Sequence, residues 1–128
     1  MVSIGIDGSF EGENGDYRAF TGIALPGSQA KLVTLVAEAS PVPVVVVVSG
    51  SSVDLSPIKA IPKVGAILWV GYGGEAAGQA LADVLYGAYN PSGRLTTTFC
   101  ERALRAVSSF FAALLACLSL LDSGVFVH

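Results

Sequence analysis

The chain has 128 residues, enough for one hydrophobic core and too few for two. Apolar residues make up 52% and charged residues 13%. With glycine counted as apolar and tyrosine set aside, the apolar share is about 60%, against roughly 45–50% for an ordinary soluble domain. A chain this apolar can bury ample surface, which excludes a disordered or polyelectrolyte tail and implies that part of its surface is covered in use. The net charge is −3, with no basic cluster beyond Arg102 and Arg105, so no footprint for a nucleic-acid backbone is present and nucleic acid is not an expected partner. Cys100 and Cys117 make no disulfide framework. The only histidine is His128 at the end of the chain, so a Ser-His-Asp triad, a Cys-His pair and a His-based zinc site all lack their key member. No metal and no cofactor are expected, and any acid–base chemistry falls to carboxylates.

Residues 2–6 form a short β-like run ending at Asp7-Gly8-Ser9. No basic region followed by a long apolar stretch opens the chain, so it does not start with a signal peptide, and localisation is left open. The start reads as the middle of a strand, which carries the expectation that something upstream is absent. From Asp7 to Gly27 a polar loop holds Glu11, Glu13, Asp16 and Arg18. Long loops of this kind tend to carry function. Leu32, Val33, Leu35, Val36 and Ala39 then recur at helical spacing, predicting a helix over about 28–39 with Ser28 as its cap.

Val44 to Val48 are five consecutive valines. An unalternating β-branched run is the signature of a strand buried on both faces, as in a parallel sheet. Ser56-Pro57 supplies a cap and first-turn proline for a short helix. Residues 66–70 read as a further strand, and Ala77, Leu81, Val84 and Leu85 form one stripe of a helix over 75–86. Asn90-Pro91-Ser92-Gly93 is a turn, and residues 94–99 have strand composition. Alternation of strands and helices predicts an α/β fold, a three-layer sandwich with a mainly parallel central sheet and helices on both faces. From Ala106 to Leu121 there are 16 residues without a charge, just short of the roughly 17–25 a spanning helix needs. A segment foreign to the domain is the favoured reading of this tail, ahead of a membrane span and a buried helix, which stand level.

Three groups of residues bear on function. Glu11-Gly12-Glu13-Asn14-Gly15-Asp16-Tyr17-Arg18 is either a solvated acidic loop or a carboxylic acid held at the C-terminal end of a parallel strand, where open α/β sheets bind ligands. Glutamates separated by a single residue do not face each other, so at most one of the pair is expected to point into a site. Gly71-Tyr72-Gly73-Gly74-Glu75 is either an anion cradle at a helix start or a tight turn with Glu75 set against the helix dipole. Arg94 follows a tight turn, as a ligand contact or as a cation ordering the loop. The hydroxyl-rich stretch Ser49 to Ser52 with Asp54 has no base nearby in sequence and supplies no expected nucleophile.

In order, these segments resemble the C-terminal α/β sandwich domain of the family-3 glycoside hydrolases, of the β-xylosidase and β-glucosidase type. The resemblance runs through Ile4-Gly5-Ile6-Asp7, the acidic loop, Leu25-Pro26-Gly27-Ser28-Gln29, the valine strand with Ser49-Gly50, and Val53-Asp54-Leu55-Ser56. It continues through residues 66–74, 78–87 and 90–95, and Leu68-Trp69-Val70-Gly71-Tyr72 leans towards the β-xylosidases. The resemblance implies a retaining hydrolase acting on a carbohydrate with a terminal β-linked sugar. Its aspartate nucleophile would come from a separate (β/α)8 barrel domain and its acid/base glutamate from this chain. The family loop reads Glu-x-Glu-Gly-x-Asp-Arg with the first glutamate as acid/base, which implies that role for Glu11, with Glu13 as fallback, and substrate-binding or loop-ordering roles for Asp16 and Arg18. Such an acid needs its pKa raised by partial burial against the partner domain. Family members are often secreted. Here Tyr17 separates Asp16 from Arg18, the spacing on to Leu25-Pro26-Gly27 is longer than usual, and Leu95-Thr96 stands where the family tends to have Leu-Pro. The expected division is an incomplete domain over 1–99 and an apolar tail over 100–128, inactive without the barrel. The competing expectation is a non-catalytic remnant that binds carbohydrate or a partner.

Overall fold

The structure, a computed structural model, describes residues 1–11, 23–97 and 99. Glu13, Asp16, Arg18, both cysteines, His128 and the apolar tail lie outside the described residues. Among the described residues three strands, β1 (Val2–Gly5), β2 (Val44–Val48) and β3 (Ala66–Trp69), form a parallel sheet in that spatial order. The helices are α1 (Gly8–Glu11), α2 (Gln29–Ala39), α3 (Ser56–Lys59) and α4 (Ala77–Leu85). The chain is thus an α/β domain.

Register follows from side-chain period. Val45 lies between Val2 and Ile67, and Val47 between Ile4 and Trp69, so these rows point to one face of the sheet. There they meet Val33 of α2 and Ile58 of α3, with Ile6, Val53, Leu55 and Phe99 completing the cluster. Val46, between Ser3 and Leu68, points to the other face, where Leu81, Val84 and Leu85 of α4 pack against it. The valine run is therefore buried from both sides because helices lie on both. Ser3 is exposed on the face that α4 covers only in part.

Among the described residues β1 is an edge strand, and a side chain closes that edge at Gly5. The Gly5 amide donates to Gln29 Oε1 at 2.8 Å, and Gln29 Nε2 donates back to the Gly5 carbonyl at 2.7 Å. The carboxamide stands in for a neighbouring strand and blunts an edge that would otherwise offer pairing groups. Opposite this clasp, a Cβ on Gly5 would lie 1.9 Å from the Val48 carbonyl oxygen, so only glycine permits this approach of β1 to β2.

Three local expectations are corrected. Ser28 occupies the position before α2 but makes no capping bond through its side chain; the Leu32 amide instead donates to the Ser28 carbonyl at 2.9 Å. Ser56 is the first residue of α3 rather than its cap, and its amide and hydroxyl donate to Asp54 at 2.9 and 2.5 Å. Residues 94–97 and Phe99 form no strand. Their burial still alternates, with Leu95 packed on the core and Phe99 edge-on to Trp69 at 5.7 Å. The strand-like composition reflects that alternation, without a ladder to the sheet. Among the described residues no helix is long and apolar enough to cross a membrane.

Candidate active site

The first turn after β1 places Glu11. Asp7 accepts hydrogen bonds from the Ser9 amide at 2.9 Å and the Ser9 hydroxyl at 2.5 Å, capping α1. These bonds hold the Asp7 carboxyl below its ordinary range. The stretch expected to be loop from Asp7 onward thus begins with one helical turn. Phe10 in that turn packs against the core and anchors it, while the next residue, Glu11, reaches across the C-terminal ends of the strands.

There Glu11 meets two other segments. Its Oε2 accepts from the Gly50 amide at 2.9 Å and from the Tyr72 hydroxyl; its Oε1 accepts from the Ser51 amide at 2.8 Å and from the Ser51 hydroxyl. Consecutive amides aimed at one anion form a backbone cradle. A Cβ on Gly50 would lie 2.9 Å from the Tyr72 ring and 3.1 Å from Glu11 Oε2, so glycine keeps the cradle open. Four donors occupy roughly the four acceptor sites of a carboxylate.

Behind the cradle, Ser49 is fully buried, and its hydroxyl donates to the Ser51 carbonyl at 2.7 Å. The Trp69 indole N–H donates to both the Ser49 carbonyl and its hydroxyl oxygen at 3.0 Å. The core tryptophan of β3 therefore fixes the loop that holds Glu11. Burial pushes the Glu11 carboxyl up, but the bonds from Ser51, Tyr72 and Gly50 together outweigh it and leave its pKa below the ordinary 4.5. Burial, then the Glu11 hydrogen bond and charge, raise the Tyr72 hydroxyl above its ordinary 10.0.

Of the site residues expected from sequence, Glu11 is placed at the strand ends; Glu13, Asp16 and Arg18 lie outside the described residues. Arg94 is exposed. Ser51 and Tyr72 were missed as partners of Glu11, since they stand 40 and 61 residues from it. The available signal was topological: all three segments directly follow parallel strands and so converge at one end of the sheet. Among the described residues no group of three metal-ligating side chains is placed to hold an ion.

The glycosyl hydrolase family 3 C-terminal domain matches residues 1–114. The chain belongs to this family. It is 46% identical over 100 residues to beta-D-xylosidase 1 of Arabidopsis thaliana, covering 77% of this chain and 12% of that protein. The same identity and coverage relate it to beta-xylosidase/alpha-L-arabinofuranosidase 1 of Medicago sativa subsp. varia. It is 44% identical over 97 residues to a probable exo-1,4-beta-xylosidase of Aspergillus japonicus, covering 73% of this chain and 12% of that protein. The chain thus spans about an eighth of the length of these relatives. No solved structure matches it significantly.

Proposed function

We propose that this family-3 domain supplies the acid/base glutamate, Glu11, to a retaining hydrolase of terminal β-linked xylosides or glucosides, acting once a (β/α)8 barrel bearing the aspartate nucleophile completes the site. The observation that carries the reading is the fixed placement of Glu11 at the carboxyl ends of all three strands, in a chain whose named relatives are β-xylosidases. Glu13 is the fallback, and Asp16 and Arg18 bind substrate or order the loop.

The chemistry sets a requirement. To protonate the leaving glycosidic oxygen, Glu11 must hold a proton near working pH; to deprotonate water afterwards, it must release one. In this chain its pKa is lowered. Docking of the barrel acts in the opposite direction in two ways. It removes water from Glu11, and it brings a second carboxylate to about 5–5.5 Å, the separation in retaining enzymes. The acid is therefore made by assembly, while its position is set beforehand by this domain.

The lowered pKa also favours a second reading, a non-catalytic module in which Glu11 is a permanent carboxylate that orders a carbohydrate- or partner-binding surface. Mixing the chain with a separately produced family-3 barrel and following an aryl β-xyloside separates the two. Turnover by the mixture above either part alone supports the hydrolase; calorimetric binding of xylose by the mixture without turnover supports the module.

A further inference from the structure

Tyr72 has two acceptors and one proton. Its hydroxyl lies 2.9 Å from the Ile6 carbonyl oxygen and also within bonding distance of Glu11 Oε2. A single O–H cannot be fully donated to both, and a hydroxyl oxygen can itself accept. The amides of Gly50 and Ser51 lack this freedom, because an N–H only donates.

An acid/base must hold its place in both protonation states, yet the two amides of the cradle suit only the carboxylate, and of its two hydroxyls, Ser51 and Tyr72, Tyr72 is the one with a second acceptor for its own proton among the described residues. A protonated Glu11 needs an acceptor for its own O–H. We propose that Tyr72 is a positioning residue that reverses with the charge of Glu11. When Glu11 is ionised, the Tyr72 hydroxyl donates to Oε2. When Glu11 is protonated, its O–H donates to the Tyr72 oxygen and the Tyr72 proton turns to the Ile6 carbonyl. Each state gives the Tyr72 proton and, when present, the Glu11 proton an acceptor, and no side chain leaves its place. The catalytic purpose of the switch rests on Glu11 being the acid/base, but the switch operates in this chain without barrel or substrate.

Among the described residues, the titratable group that acts on Tyr72 besides Glu11 is Asp7. It adjoins Ile6 and caps α1 through Ser9, so its own titration must be removed from the test. The test is carbon-13 NMR of the full labelled chain titrated through the acidic range in an Asp7→Asn background. The Ile6 carbonyl resonance should move with the same midpoint as the Glu11 carboxyl. Adding Tyr72→Phe should abolish the Ile6 response and raise the Glu11 midpoint, because the carboxylate loses a donor. Adding Ser51→Ala should raise the midpoint and leave the Ile6 response intact, a split that a merely structural role for Tyr72 does not produce. An Ile6 carbonyl that stays still while Glu11 titrates, or that moves equally in Tyr72→Phe, overturns the proposal. Should Tyr72→Phe not fold, coincidence of the two midpoints in the Asp7→Asn background still decides. Failure of the hydrolase reading shows instead as absent turnover with the barrel and leaves these resonances unaffected.

Discussion

Among the described residues, twelve buried side chains form one cluster on the face of the sheet covered by α2 and α3, whereas under α4 only Val46 and Leu68 are buried. The same valine strand serves both, so neighbouring residues of one sequence run differ in what they support. The site hangs from the deep face. Phe10 packs there to anchor the turn before Glu11, and Trp69 reaches from it to hold Ser49. Among the described residues the shallow face contributes half-buried contacts of α4 and no donor to Glu11. Placement of the carboxylate is thus tied to the better-packed side of the domain.

Substitutions graded by face can break this contrast. Gly5→Ala should be the most damaging, because the added carbon meets the Val48 backbone oxygen at 1.9 Å and no flexible group can give way. A loss above about 4 kcal/mol, or no cooperative unfolding transition at all, is expected in urea titration. Ile58→Ala, emptying a fully buried position on the deep face, should cost about 2–5 kcal/mol in the same measurement. Leu81→Ala on the shallow face, where α4 has no fully buried residue, should cost roughly 1 kcal/mol. A larger loss at Leu81 than at Ile58 would reverse the assignment of the two faces.

The smallest effect is on acid stability. The pKa of Glu11 lies below 4.5 and that of Asp7 below 3.8 in the folded chain, so each adds stability above its ordinary value and loses it as pH falls. Unfolding midpoints should drop as pH decreases below 4.5, and Glu11→Gln should flatten the upper part of that decline. A wild-type midpoint that rises over this range contradicts the carboxylate cradle.

How much of this was legible in the sequence depends on how local each cause is. The valine run, the stripe Leu81, Val84 and Leu85, and the parallel α/β order could be read because periodicity states which face a residue takes. The turn at Asp7 to Glu11 reads as loop in the sequence, since one helical turn is too short to show a period. The strand expected over 94–99 has the right alternation but no ladder to the sheet, which composition does not reveal. Glu11 was singled out through its family resemblance, while its holders Ser51 and Tyr72 depend on strand ends brought together from distant segments. The Gln29 carboxamide on the edge of β1, 24 residues from Gly5, was hidden for the same reason.

The central claim is that Glu11 is the proton donor, and the leaving group tests it most directly. With the barrel supplied, kcat/KM should be compared for Glu11→Gln and Glu13→Gln on β-xylosides carrying poor and good leaving groups. Glu11→Gln should lose on the order of 10²–10⁴-fold on an alkyl xyloside and much less on a dinitrophenyl xyloside, whose departure needs little protonation. That leaving-group dependence appearing in Glu13→Gln, and not in Glu11→Gln, would contradict the account.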